Sequence, residues 1–248
     1  MNETLRDLLA ALRFFTRLPL PGGAGGERPL SASAIGFPLA GLVVGALTSL
    51  VWAAAAALLP ALPAAGLAIA AGLVLTGALH EDGLSDCADG LGGGHTRERA
   101  LEIMRDSRIG AFGAAALIVT IALRWTALGE LSLYDGIWAL LIAHSVSRAS
   151  ILPALAFSSY ARREGLGSTV SEGISGSQLA IALAISLLLA ILFGGIAGVI
   201  AAVLGFATAL LALKYLEARL GGYTGDGLGA MQQVAEIAIM LALCAQWS

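Results

Sequence analysis

Between residues 179 and 213 the chain carries an apolar run of about 35 residues that holds no charge and is divided only by Gly194-Gly195. A segment of that kind has no place in the interior of an ordinary soluble domain. Roughly 20 such residues cross the hydrocarbon of a bilayer as a helix, and in lipid a helix satisfies its own backbone hydrogen bonds. The composition agrees. At 58% hydrophobic and 12% charged residues, with a mean hydropathy of +0.85, the chain falls far below the roughly 25% charge of soluble domains. The sequence therefore predicts an all-α, polytopic integral membrane helical bundle.

About seven crossings are expected, over 34–58, 62–79, 109–128, 136–156, 179–193, 196–213 and 229–247. The fifth and sixth are read as a hairpin turning at Gly194-Gly195 rather than as one very long helix. Ahead of them, Leu5, Leu8, Leu9, Leu12 and Phe15 recur at helical spacing among Arg6, Asp7, Arg13 and Arg17. That pattern predicts an N-terminal interfacial helix within residues 1–30, or the same helix packed on the protein's own surface. Pro19, Pro21 and glycines 22, 23, 25 and 26 end it. The charges within it argue against a cleaved signal. The whole of 1–248 reads as a single membrane-embedded catalytic domain.

Basic residues test the topology. Seven crossings place 12 of the 14 Lys and Arg residues on one side, in the N-terminal segment and in loops 80–108, 157–178 and 214–228. The positive-inside rule makes that side cytoplasmic, so the expected location is the cytoplasmic (inner) membrane with these loops facing the cytoplasm. Arg124 then falls near the outer end of its span and reads as an interfacial anchor. No basic tract suggests nucleic acid. Cys87 and Cys244 are too few and too far apart for a disulfide framework or a zinc site. No internal repeat supports an inverted-repeat transporter.

Chemistry concentrates in the stretch from His80 to Gly94, where Glu81, Asp82, Asp86 and Asp89 fall within nine residues without a Lys or Arg among them. If these residues continue the preceding helix, Asp82, Asp86 and Asp89 share one face, with Glu81 about 100° round from Asp82. Two readings relieve the repulsion: carboxylates splayed into water, or carboxylates converging on Mg²⁺ or Mn²⁺. The Arg-rich run that follows, Arg97, Arg99, Arg105 and Arg108, can grip phosphate oxygens from the other side, or can pair with Glu98, Glu102 and Asp106 on a solvated helix. In the Gly-rich loop 214–228, Asp226 is either a ligand-facing carboxylate or a cap for the last helix. Glu236 inside that helix is a functional candidate by its position in lipid. His144 and Arg148 stand one turn apart in the fourth span, where snorkelling or a helix–helix contact explains Arg148 as well as ligand binding does. His80 and His95 read as polar loop residues or as ligands. Loop 157–178, with Arg162, Arg163, Gly165 and Gly167, is a lid over a nucleotide or a linker.

Four stretches, Phe15-Thr16-Arg17-Leu18-Pro19, His80 to Gly90, Ile103 to Gly110 and Thr224-Gly225-Asp226, resemble in order those of the cobalamin synthase family, the adenosylcobinamide-GDP ribazoletransferases. The resemblance implies a transferase that joins adenosylcobinamide-GDP to α-ribazole or its 5′-phosphate with loss of GMP, dependent on Mg²⁺. It implies Mg²⁺ on Glu81, Asp82, Asp86 and Asp89, phosphate held by Arg105 and Arg108, and a proton accepted by Asp106 or Asp226. Arg17, Arg97, Arg148 and His80 are the expected substrate-binding residues. The bilayer is the remaining partner, with homo-oligomerisation left open. Intramembrane prenyltransferases and CDP-alcohol phosphotransferases share the acidic motif, but the chain lacks a second Asp-rich motif for the first and an Ala-Arg after Asp89-Gly90 for the second. A divalent-cation transporter needs carboxylates within its spans, whereas nearly all of these fall in loops on one side.

Overall fold

The computed structural model describes residues 3–20, 30–162 and 174–245. Arg28, Arg163, Gly165, Gly167 and the Pro21 to Gly26 stretch lie outside the described residues. Ten α-helices follow in order: α1 (Glu3–Phe15), α2 (Gly36–Ala56), α3 (Ala61–Thr76), α4 (Leu79–Gly93), α5 (Arg97–Ile103), α6 (Ala111–Gly129), α7 (Leu133–Ala149), α8 (Leu152–Phe157), α9 (Gly176–Leu220) and α10 (Gly225–Cys244). No β-strand occurs among the described residues, and the all-α expectation holds.

Among the described residues, five units are long and apolar enough to cross a membrane: α2, α6, α7 with α8, α9 and α10. The pair α3–α4, bent by 88°, is either a broken sixth span or a re-entrant loop. The expectation of seven differs from this count at α9. Gly195 leaves helical geometry there, with φ of 54° and ψ of −134°, a region that a residue without Cβ enters at little cost. Beyond it Gly198 lies against the Ala190 carbonyl, although residues eight apart in an unbroken helix are about 12 Å apart. Leu179 near the start of α9 and Leu220 at its end also join one apolar cluster. Helix α9 is thus sharply broken at Gly195, although by length and composition it counts as a single membrane-crossing unit.

The α7–α8 unit forms the centre of the bundle. Its apolar window is 83% buried, against 28% for α6 and for α9, so α6 and α9 present Ile118, Val119, Leu188 and Leu192 outward. Helix α1 packs on α2, burying Ala11, Leu12 and Phe15 and leaving Leu5 and Phe14 exposed.

Three expectations are corrected. Residues 80–108 are not a loop but hold α4 and α5. Four glycines and four carboxylates argue for a loop by propensity, yet Gly83 lets α4 lie against α10: a Cβ there would sit 2.8 Å from the Asp226 carbonyl oxygen. Loop 214–228 shrinks to 221–224, because Leu213, Leu216 and Leu220 carry the apolar face of α9 onward into the core. Arg124 is no interfacial anchor; it is 4% exposed, drawn inside by two buried carboxylates.

Candidate active site

Helix α4 does not continue α3. Gly77 and Ala78 are both left-handed, with φ of 63° and 55°, and the chain restarts as a helix at Leu79. Within α4 the carboxylates part company. Asp82 is exposed and Asp86, one turn on, is half-buried, so these two share a face. Glu81 turns into the bundle, where its Oε1 accepts from Arg124 at 2.9 Å and from Gln233 at 3.1 Å. Asp89 accepts from the backbone N–H of Gly110 at 2.7 Å and of Gly113 at 2.8 Å. Those are donors that the first turn of α6 would otherwise leave orphaned, and a carboxylate suits the positive end of the helix dipole. Among the described residues, no three His, Cys, Asp or Glu side chains stand together in a way that could hold a metal ion.

The face of Asp82 opens on a cavity of about 220 Å³ between α1, α2, α4, α8 and α10. His80, Asp82, Asp226 and Arg162 are the ionisable side chains in its lining apart from Tyr160, and Arg162 donates to Asp226 Oδ2 at 2.7 Å. Asp226 does not cap α10: the Thr224 hydroxyl does, accepting from the Gly227 N–H at 2.9 Å. Asp86 lies close enough to feel the charges of Asp82 and Asp226, with Arg162 opposing them. Three carboxylates around one arginine leave this corner short of positive charge.

Arg162 is a residue that sequence reasoning left in an undecided loop. It is placed by a short parallel bridge between Tyr160 and Tyr223, in which Ala161 donates to the Tyr223 carbonyl at 2.8 Å and Tyr223 donates to that of Ser159 at 3.0 Å. Arg97 pins the same strap, donating to the carbonyls of Leu220 at 2.6 Å and Ala161 at 2.8 Å. Its guanidinium is engaged with backbone, away from the carboxylate corner.

The other expected residues fall in several places. His80 is buried, stacks on Phe15 at 5.5 Å and leaves its Nε2 without a partner. Arg148 lies over the same Phe15 ring at 5.6 Å and donates to the His144 carbonyl at 3.0 Å; at 1% exposure it does not snorkel. Arg17 crosses the α3–α4 break, with its backbone N–H on the Leu75 carbonyl at 2.8 Å and its side chain against Gly77. Arg105 is exposed. Arg108 donates to both oxygens of Asp106 at 3.0 and 2.6 Å, and these bonds hold the Asp106 carboxyl down at about 2. Asp106 and Arg108 border a wide groove of about 640 Å³ that shares no lining residue with the Asp82 cavity. The structure therefore does not bring Asp82 and Arg108 together in one cavity.

A second feature escaped the sequence entirely. Arg124 bridges Glu81 and Glu236, at 2.9 and 2.8 Å. Gln232 donates to Glu236 at 2.6 Å and to Ser147 at 2.8 Å, and His144 Nδ1 stands 3.3 Å from Glu236. Arg148, hydrogen-bonded to His144, adds a second buried guanidinium close enough to feel Glu81 and Glu236, so the formal charges balance in the middle of the bundle.

This is the anatomy of a polytopic helical membrane protein with an acidic, arginine-braced cavity suited to phosphate chemistry. Comparison with known proteins is more specific. A family model described as cobalamin-5-phosphate synthase matches residues 7–244, and the chain belongs to that family. It is 43% identical over 242 residues to an adenosylcobinamide-GDP ribazoletransferase of Mesorhizobium japonicum, covering 97% of this chain and 93% of that one. Proteins of the same name from Leptothrix cholodnii and Ralstonia nicotianae are 42% and 40% identical, over 95% and 99% of this chain and 94% and 97% of theirs. No solved structure matches.

Proposed function

We propose that the chain performs the reaction its relatives are named for, joining adenosylcobinamide-GDP to α-ribazole or its 5′-phosphate, at the cytoplasmic face of the inner membrane. The observation that carries the reading is the cavity whose lining includes Asp82, Asp226 and Arg162, in a chain matched to that family almost end to end. A hydroxyl oxygen of the acceptor attacks the cobinamide-linked phosphorus, the bond to the bridging diphosphate oxygen breaks, and GMP leaves. Asp226 uses Oδ2 on Arg162, which leaves Oδ1 to take the hydroxyl proton. Asp106 suits that task poorly, since a carboxyl held at about 2 has little drive to accept a proton at neutral pH.

Asp82 and Asp86 are the residues that would hold Mg²⁺. Glu81 and Asp89 fit less well, because both are engaged inside the protein. Two carboxylates are enough: Mg²⁺ keeps most of its waters and completes its shell with substrate phosphate rather than with a full protein cage. When bound, the ion neutralises charge on the diphosphate oxygens. Arg162 holds one further oxygen, and Arg105 and Arg108 are left to the outlying part of the nucleotide.

The test is incubation of the purified chain with adenosylcobinamide-GDP, α-ribazole and MgCl₂, following GMP. Release of GMP in step with the new cobalamin is expected, abolished by EDTA and restored by excess Mg²⁺. Absence of GMP sinks the reaction, and turnover that ignores EDTA sinks the metal. Arg162→Gln is expected to raise the KM for the GDP donor about tenfold or more, the scale of a charge-assisted hydrogen bond. An unchanged KM in steady-state assays removes Arg162 from the site.

A further inference from the structure

The sequence places Arg97 among the substrate-binding residues, yet it lines neither the Asp82 cavity nor the Asp106 groove. Its guanidinium instead straddles two backbone segments. Nε donates to the carbonyl of Leu220, the last residue of α9, and Nη2 donates to that of Ala161. The third nitrogen, Nη1, stands 3.8 Å from the exposed Glu98. The Leu220 carbonyl is one of those that a helix end leaves without an intrahelical partner, and a cation suits the negative end of the helix dipole. The other carbonyl belongs to the residue just before Arg162. Both backbone groups of Ala161 are therefore engaged, the N–H on the Tyr223 carbonyl and the C=O on Arg97.

Arg162 needs such support. Among the described residues its side chain makes one hydrogen bond, from Nη2 to Asp226, and its buried Nε has no partner. The bridge that carries it consists of two backbone hydrogen bonds, and even a longer isolated strand pair is marginal in water. We infer that Arg97 is a positioning residue for the GDP donor: by tying the end of α9 to the residue before Arg162, it holds that guanidinium beside Asp226 with its Nε–H left for a phosphate oxygen, and it acts without touching substrate. The inference rests on the transfer reaction proposed above and adds how the arginine of the cavity is kept in place. Shape matters here more than charge. Two carbonyls on different chain segments are met by two N–H groups of one rigid plane, which an ammonium on a flexible stem does not reproduce. Displacing a positioned group by about 1 Å is enough to be felt at the reacting centre.

The test is calorimetric binding of adenosylcobinamide-GDP with MgCl₂ and no acceptor, which reads the site without turnover. Arg97→Met is expected to weaken Kd about fivefold, less than the roughly tenfold scale of Arg162→Gln, because a residue acting through Arg162 costs at most what Arg162 supplies. In the Arg162→Gln background the same change is expected to add less than about twofold, the non-additivity of two residues that serve one contact. Arg97→Lys keeps the charge and is expected to weaken Kd about threefold; it stands in where Arg97→Met folds poorly. Hydrogen exchange at the Ala161 and Tyr223 amides follows the strap itself, and is expected to rise about tenfold or more in Arg97→Met while staying within about twofold in Arg162→Gln. Losses that multiply across the two backgrounds make Arg97 a direct ligand, and a wild-type Kd in Arg97→Met or Arg97→Lys leaves it a surface staple; either result overturns the inference. A chain that gives the expected cycle but releases no GMP with any acceptor keeps the positioning role and loses the reaction. A chain that turns over, with Kd unmoved by Arg97→Met, loses only the positioning role, and one that binds no donor loses both.

Discussion

Asp82→Asn will lower turnover about 10³-fold while the protein still inserts and keeps its helical content. Asp82 is exposed, lines the cavity and accepts no side-chain hydrogen bond among the described residues, so the amide, similar in shape, disturbs no packing. It removes a charge aimed at the reacting diphosphate, and losing one preorganised electrostatic group costs about 10²–10³ in rate. Asp226→Asn should cost about 10²–10⁴, the range of a general base, with part of the loss arising because Arg162 is then left without its anion. Asp106→Asn is the contrast. Its carboxylate meets Arg108 at the surface of a different groove, and turnover within about threefold is expected. The three variants, assayed for GMP release alongside circular dichroism, separate the two proposed bases: a loss at Asp106 as large as that at Asp226 would move the proton acceptor to the other cavity.

What the sequence revealed and what it hid follow from the range of the interactions involved. Crossing helices were legible because hydropathy accumulates along the chain, and the break in α9 because two glycines interrupt an otherwise unbroken run. The divergence of Glu81 from Asp82 was legible too, since adjacent helical positions lie about 100° apart. Helix α4 was not, because its glycines argue for a loop until α10 lies against Gly83. Asp89 reaches a helix start 21 residues further on, and Arg162 reaches Asp226 across 64 residues. No local pattern encodes such partners. Arg124 was misplaced for the same reason: its position along the span suggests an anchor, and only the packing of α4, α6 and α10 brings Glu81 and Glu236 to it.

Arg124→Met will destabilise the fold by about 3–5 kcal/mol, the scale of breaking a buried ion pair from one side. Arg124 is 4% exposed and is the only residue that contacts both Glu81 and Glu236 among the ion pairs of the described residues. Without it two carboxylates remain in the bundle's interior, contacted by His144, Gln232 and Gln233, while the buried Arg148 is near enough to feel their charge but makes its hydrogen bonds to His144. If stranded charge is the cause, neutralising it must help. The triple variant Glu81→Gln, Arg124→Met, Glu236→Gln is therefore expected to recover a substantial part of the loss, since replacing a whole buried pair is often close to neutral. Thermal unfolding in detergent of the single and triple variants, with Glu81→Gln and Glu236→Gln alone to close the cycle, measures the recovery. A triple variant no more stable than Arg124→Met would mean that the arginine acts through its packed stem rather than its charge. The same comparison bears on the site, because Glu81 and Asp82 are consecutive on α4: the anchor that fixes Glu81 inside the bundle also fixes the direction in which Asp82 meets the cavity. Turnover of the triple variant should therefore fall further than its recovered stability alone would allow.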